Sequence, residues 1–353
     1  MRSTRNFVVT VTTTARGEHG TGAVSCYTGR MTGNDLAAQM RGAASVLLGE
    51  LDGDQLALAA LPFGDDGARR WLEYRPERRP GACLALLSPA GRKAAHRLLS
   101  TALSEHAYAQ AMVIVALEEV LDRREGWRLG RHSGDYWVSV FGDPAGRQPW
   151  SWRFEGHHLS VTMTIAGDEV SPAPVFLGAN PAFVRYAGRA VCRPLAEEED
   201  LARALLDALG PGGRAVAVVS GRAPGDIRSG TSASAPDGLQ PPGIGAASLG
   251  PAPRALLHEL AALYLSRLPA GLAAQEAARV DGSELHFAWE GQVTPGARHY
   301  YRVQADDLLI EYDNTEDDGS HAHTVLRRPR GDFGADLLAA HRRAEQPGAG
   351  RIS

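Results

Sequence analysis

Two short stretches concentrate the side chains that can do chemistry. Residues 150–161 read WSWRFEGHHLSV, with an acid, a glycine and two adjacent histidines inside an apolar, tryptophan-bearing run. Residues 309–323 read LIEYDNTEDDGSHAH, an apolar run, an acidic turn and a His-x-His pair. Four of the 12 histidines fall in these windows. Neutral imidazole is the commonest metal ligand near neutral pH. Three or four imidazoles with a carboxylate suit zinc, copper, iron or nickel. We therefore expect the two stretches to meet in space and hold a metal ion through His157, His158, His321 and His323.

If residues 150–161 form one strand, side chains alternate between its faces. Arg153, Glu155, His157 and Leu159 then share one face, and Phe154, Gly156, His158 and Ser160 the other. Adjacent histidines point apart, and both reach one ion only if a bulge re-aims one of them. Gly156 is the natural place for that bulge. His321 and His323, two apart, face the same side of an extended segment and can chelate directly. Glu155 could orient a ligand imidazole or act as a general base; its plainer role is a salt bridge with Arg153 or Arg302. Asp313 could also be catalytic, or could start the turn by bonding its own backbone. Trp150, Trp152 and Trp289 either keep such a site dry or fill the core. His-His and His-x-His also arise from composition alone. The neighbouring carboxylates and apolar strands favour the metal reading.

Competing chemistries find little support. GxGxxG, GxxxxGK[ST], GxSxG and HExxH patterns do not occur. The three cysteines, Cys26, Cys83 and Cys192, are widely spaced and form no CxxC, which argues against a disulfide framework or a Cys-rich zinc site. The chain has 37 basic and 41 acidic residues, net charge −4, with no long basic stripe. Nucleic-acid binding is therefore not expected. No segment approaches the roughly 18 apolar residues of a membrane span. The N-terminus lacks a convincing apolar signal core, so a cytoplasmic location is expected.

The elements that must position these residues alternate irregularly. Helical spacing of Leu36, Met40, Ala44, Leu47 and Leu48 predicts a helix opening at Asn34 or Asp35. Further helices are expected over 89–103, 105–124, 197–209, 251–268 and 332–341. Strands are expected over 71–74, 137–141, 161–165, 169–177, 214–219, 285–289, 299–304 and 308–312, with a hairpin turn at Gly167-Asp168. No internal repeat is evident, and no βαβ rhythm runs through the chain. The fold class that follows is α+β, a mostly antiparallel sheet with packed helices. Residues 1–33 read as a flexible lead-in with one strand at 7–13, and 34–343 as a single compact domain. Within it, 221–252 is an irregular excursion or lid, and 344–353 is a disordered tail.

The segments FEGHHLS, FLGANPA, HYYRVQ, LIEYDNTEDDGSHAHTVLR and DFGADLLAAH, with LSEHAYAQA and SVFG upstream, resemble DUF3500, a bacterial family of domains of unknown function. The resemblance runs from about residue 45 to 343 and implies one compact family domain. The family's Glu-Gly-His-His falls on Glu155, Gly156, His157 and His158. Its Glu-Tyr-Asp-Asn falls on Glu311, Tyr312, Asp313 and Asn314, and its His-x-His on His321 and His323. It usually has Asn where this chain has Gly319 or Ser320. The resemblance carries no established reaction. The expected function is a metal-dependent enzyme, an oxidase or oxygenase using copper or iron on a small-molecule substrate. A zinc hydrolase or lyase with Glu155 as base, or a non-catalytic metal-binding protein, are the alternatives.

Overall fold

A computed structural model describes residues 33–345 of the chain. Helices α1 (Gly33–Gly49) and α2 (Gly53–Ala59) lead to the edge strand β1 (Ala60–Leu61). A loop holding the one-turn helix α3 (Asp66–Arg69) ends at β2 (Ala82–Cys83). Helix α4 (Pro89–Ser100) opens where the Ser88 hydroxyl accepts from the Gly91 amide, with Pro in its first turn. Ser104 caps α5 (Glu105–Arg124) in the same way. Five strands follow: β3 (Tyr136–Phe141), β4 (Trp150–Gly156), β5 (Leu159–Ala166), β6 (Glu169–Ser171) and β7 (Val175–Ala179).

A separate hairpin, β8 (Val184–Tyr186) and β9 (Arg189–Cys192), comes next. Then the order begins again. Helices α6 (Ala196–Ala208) and α7 (Gly210–Ala217) lead to β10 (Val218–Ser220). An irregular loop ends at β11 (Ile244–Gly245), followed by α8 (Pro251–Leu265) and α9 (Ala270–Val280). Strands β12 (His286–Gly291), β13 (His299–Ala305), β14 (Leu308–Glu316) and β15 (His321–Arg327) follow, and α10 (Ala335–Glu345) closes the described chain.

The second half repeats the first. The main sheet runs β1-β3-β4-β5-β7-β15-β14-β13-β12-β10, a palindrome about the β7–β15 junction. Edge strands β1 and β10 pair parallel with β3 and β12, and β2 and β11 pair antiparallel with the same two strands. The antiparallel β7–β15 pairing at the centre is what two-fold symmetry demands. Residue matches accompany the topology. Gly81, Leu87, Pro89, Arg92, His96 and Leu98 recur at one offset as Gly243, Leu249, Pro251, Arg254, His258 and Leu260. Arg92 Nε donates to the Leu84 carbonyl at 3.2 Å, and Arg254 Nε to that of Ala246 at 2.9 Å. Thus the chain does contain an internal repeat, contrary to the sequence reading. Most of the equivalent positions differ in residue type, so the repeat is not legible in the sequence alone.

One sheet face packs on the helices. Val138, Trp152, Phe154, Val161, Tyr301 and Ile310 join Met40, Leu98, Ile114 and Leu260 in one apolar core. This core also contains Trp150 and Trp289, so the three tryptophans fill it. The other face is covered by the two irregular loops, and its buried charged side chains satisfy their backbones. Arg153 donates to the carbonyls of Ala68, Arg69 and Trp71. Glu311 accepts from the amides of Arg228 and Ser229, Gln304 bonds both backbone groups of Leu239, and Arg327 donates to Ser232. The irregular segment is thereby pinned across the sheet from residue 228 to 239.

Other expectations need correcting. Residues 71–74 are irregular, and 214–217 belong to α7, with strand only from Val218. Helix α9 was not anticipated. Residues 1–32 of the expected lead-in, its strand included, and 346–353 of the expected tail lie outside the described residues; residues 344–345 continue α10. Among the described residues, no helix is long and apolar enough to cross a membrane.

Candidate metal centre

Strands β4 and β5 pair as far as Gly156 opposite Leu159, so His157 and His158 form the two-residue turn between them. The expected single strand over 150–161 is therefore a hairpin. His158 sits at φ 61°, the left-handed region, which histidine enters more readily than most residues. Its backbone is held on both sides: the amide donates to the Tyr74 carbonyl at 2.9 Å, and the carbonyl accepts from the Gly178 amide at 2.7 Å. The re-aiming expected of a bulge is done by the turn. Gly156 has a different task. A Cβ there would lie 2.4 Å from the Tyr136 ring, which crosses the hairpin so that its hydroxyl donates to the His157 carbonyl at 2.9 Å.

The other candidate ligands stand on β15, between β7 and β14, where His323 lies opposite Gly178 and Asp313. A side chain at Gly178 would meet the His158 ring at 2.8 Å, so glycine leaves the space through which His158 reaches across β7. His158 Nε2 lies 2.7 Å from His321 Nε2. One ring nitrogen from each of His158, His321 and His323 lies within 4.8 Å of the others. Metal–nitrogen bonds of about 2.0–2.1 Å in a tetrahedral site put ligand nitrogens about 3.3 Å apart. The His158–His321 pair would part by roughly 0.6 Å to accept an ion on that geometry.

Carboxylates orient two of the rings. His321 Nδ1 faces Glu316 Oε2 at 3.0 Å and Asp317 Oδ2 at 3.3 Å. His323 Nδ1 faces Asp226 Oδ1 at 2.9 Å and Asp313 Oδ2 at 3.4 Å. The hydrogen bond of His323 Nδ1 to Asp226 leaves Nε2 as the donor atom for a metal, the arrangement ligating histidines usually show, whereas His321 Nδ1 also lies 3.2 Å from the Asn180 amide nitrogen. Asp226 in turn accepts from the Tyr74 hydroxyl at 2.7 Å, and Tyr74 stacks on Phe176 with centroids 4.1 Å apart.

Burial, reinforced by His157, His323 and His321, holds His158 well below the ordinary histidine range. Burial, then the charge of His323, lowers His321 to about 4. Both are neutral at pH 7, the form that binds metal. Burial alone would also lower His323, but Asp313 and Asp226 outweigh it and raise its pKa to about 10.

His157 and Asp313 belong to two adjoining groups, Glu118–His157–His158 and Asp226–Asp313–His323, in each of which one ligand atom per residue lies within 4.8 Å of the others, while Glu155 falls elsewhere. His157 Nδ1 bonds Glu118 Oε1 at 2.6 Å, and its ring lies over His158 with centroids 3.7 Å apart and planes 31° apart. Ring lone pairs lie in the ring plane, so rings overlapped this way aim poorly at a common ion. Glu155 pairs with Arg153 at 2.6 Å and Arg79 at 3.6 Å, all three side chains buried. It occupies the salt-bridge role rather than a place among the three histidines. Asp313 does two things at once. Its Oδ1 accepts from the Thr315 amide and hydroxyl, and its Oδ2 faces His323.

Sequence reasoning missed Asp226, Tyr74 and Glu118. Asp226 lies in an irregular loop where no spacing marks it. Glu118 could have been found: with Gln110 and Asp122 it is a polar residue on the buried face of α5.

The chain belongs to the family described as "Protein of unknown function (DUF3500)", which matches residues 34–335. No curated protein and no solved structure matches it.

Proposed function

We propose that this chain is a metal-dependent enzyme whose ion is held by His158, His321 and His323. The observation that carries the reading is the convergence of three imidazoles, two with Nδ1 anchored on carboxylates. Three protein ligands leave a coordination position for substrate or water, as catalytic sites do and closed structural sites do not. An all-imidazole, thiolate-free set accepts iron or copper, and Tyr74, coupled to His323 through Asp226, places an oxidisable ring beside it. These features favour an oxidase or oxygenase acting on a small molecule. When bound, a redox-active ion would supply electron transfer to or from substrate. The carboxylate of Asp226 would hold a proton on His323 Nδ1, and the acids facing His321 would help fix its ring orientation.

A zinc-dependent hydrolase or lyase is the second reading. It is favoured by the Glu118–His157 pair, a carboxylate-oriented imidazole beside His158 that could accept a proton.

Elemental analysis of protein purified without chelator or histidine tag tests both. Near-stoichiometric iron or copper, with visible or EPR signals that change on reduction, supports the first reading. Stoichiometric zinc, silent on reduction, supports the second. Metal content that survives the double change His321→Ala, His323→Ala would refute the centre itself.

A further inference from the structure

A cavity of about 460 Å³ opens beside the hairpin tip, and His157 lines it. This volume falls in the usual range of small-molecule sites, roughly 300–1,000 Å³. The His157 side chain is nine-tenths buried (8% exposed) and tethered through Nδ1 to Glu118 at 2.6 Å. In the neutral ring, with the proton on Nδ1 toward the carboxylate, Nε2 is an acceptor. That Nε2 makes no hydrogen bond to any described residue, and the ring borders the cavity. The walls at Pro76, Leu129 and Trp137 are apolar, with Trp137 offering a flat aromatic surface.

The charges select the ligand further. Three carboxylates, Glu77, Glu118 and Asp135, line the cavity against two guanidiniums, Arg78 and Arg131, and Arg131 is already paired with Glu125 at 2.6 Å. A carboxylate ligand would meet more repulsion than attraction. A neutral molecule that donates one strong hydrogen bond meets an acceptor waiting for it. We propose that this cavity binds a small, mainly apolar molecule bearing a phenolic or enolic hydroxyl, which donates to His157 Nε2 while its ring lies against Trp137. The use of that ligand by the metal centre, one imidazole away, rests on the reading above. The binding itself does not require a metal.

The test is calorimetric titration of the full chain, metal-free and metal-loaded, with 4-methylphenol and with 4-methylanisole at about pH 8, where the phenol stays protonated and a free imidazole is neutral. A site built around a hydroxyl discriminates strongly against the analogue lacking one. The phenol should bind at least about tenfold tighter than the anisole in both forms. His157→Phe keeps the overlapped ring but removes the acceptor, and should bring the phenol to the anisole's level. Leu129 is 64% exposed, so Leu129→Ala should fold normally and weaken both probes several-fold. Equal binding of the two probes, a preference that survives His157→Phe, or binding indifferent to Leu129→Ala would each overturn the proposal. If the phenol preference holds in protein that takes up no metal, the cavity stands while the metal centre falls.

Discussion

Asp226→Asn isolates the contribution of a charge that does not touch the ion. Asp226 Oδ1 lies 2.9 Å from His323 Nδ1, and Oδ2 accepts from Tyr74. Asparagine keeps the size and one carbonyl acceptor, so the hydrogen bond can persist while the negative charge goes. A charge-assisted bond exceeds its neutral counterpart by about 1–1.5 kcal/mol. Two effects then oppose each other. The carboxylate raises the proton affinity of His323, so its loss leaves less proton for an incoming ion to displace. It also raises the basicity of the ring toward the ion, and a dication gains more from that than a proton does. The second effect should win, leaving metal affinity about tenfold weaker, the low end of the 10–100-fold range for such outer residues. The low end is expected because Asp313 still faces the same nitrogen at 3.4 Å. Competition between protein and a fluorescent chelator for zinc or cobalt(II), at one fixed pH, measures it. Asp237→Asn, an exposed acid on the same loop, serves as the control. An affinity within twofold of the parent chain, with unchanged circular dichroism and melting temperature, would refute the argument that Asp226 orients a ligand.

Two further outcomes follow from buried charge. Glu155→Gln should leave metal content unchanged but destabilise the fold by about 3 kcal/mol, because it strands the buried Arg153 and Arg79 beside a neutral amide; denaturant midpoints and elemental analysis read the two effects separately, and loss of metal without loss of stability would restore Glu155 to the site. Burial lowers His299 from 6.5 to about 4, so the unfolded chain takes up this proton first and the stabilisation, full above about pH 6.5, is lost as pH falls toward 4. At pH 5 the loss from this group alone is about 2 kcal/mol, and His299→Gln should flatten that part of the stability profile in urea titrations; an unchanged slope would remove His299 as its cause.

Much of the fold could be read from local pattern. Helical spacing placed α4 and α5 closely. Alternation placed β3, β12, β13 and β14, and Gly167-Asp168 marked a real hairpin turn. What failed were positions decided by distant contacts. His157-His158 carries none of the usual turn residues, so residues 150–161 read as one strand. Only the grip of Tyr74 and Gly178 on the His158 backbone shows why a histidine tolerates the left-handed position. Residues 214–217 look like a strand because Val216 and Ala217 are apolar, yet they end a helix. The histidines of the site were legible as types and spacing. Their carboxylate partners were not, because Asp226 lies in a loop whose path is set by Glu311, Gln304 and Arg327 far away in sequence.

The duplication accounts for a three-histidine cluster at one hairpin tip and its absence from the equivalent tip among the described residues. Its two hairpin tips are equivalent: β13 and β14 pair up to Ala305 opposite Leu308, leaving Asp306-Asp307 where the first half has His157-His158. Asp307 is tied to Arg328 at 2.8 Å and to the Arg330 amide at 2.8 Å, both just past β15 in its own half. The tip of the second half is thus closed by an ion pair. The tip of the first half instead reaches over Gly178 and across the β7–β15 junction. Neither half holds three of the ligands: His158 comes from one, His321 and His323 from the other. The loops divide in the same way, Tyr74 from the first half meeting Asp226 from the second. An ion held there would bind the halves together at the centre of the sheet. Metal uptake is therefore expected of the joined chain and of neither half alone. A symmetric scaffold carries an asymmetric site because the residues that make it lie on opposite sides of the axis.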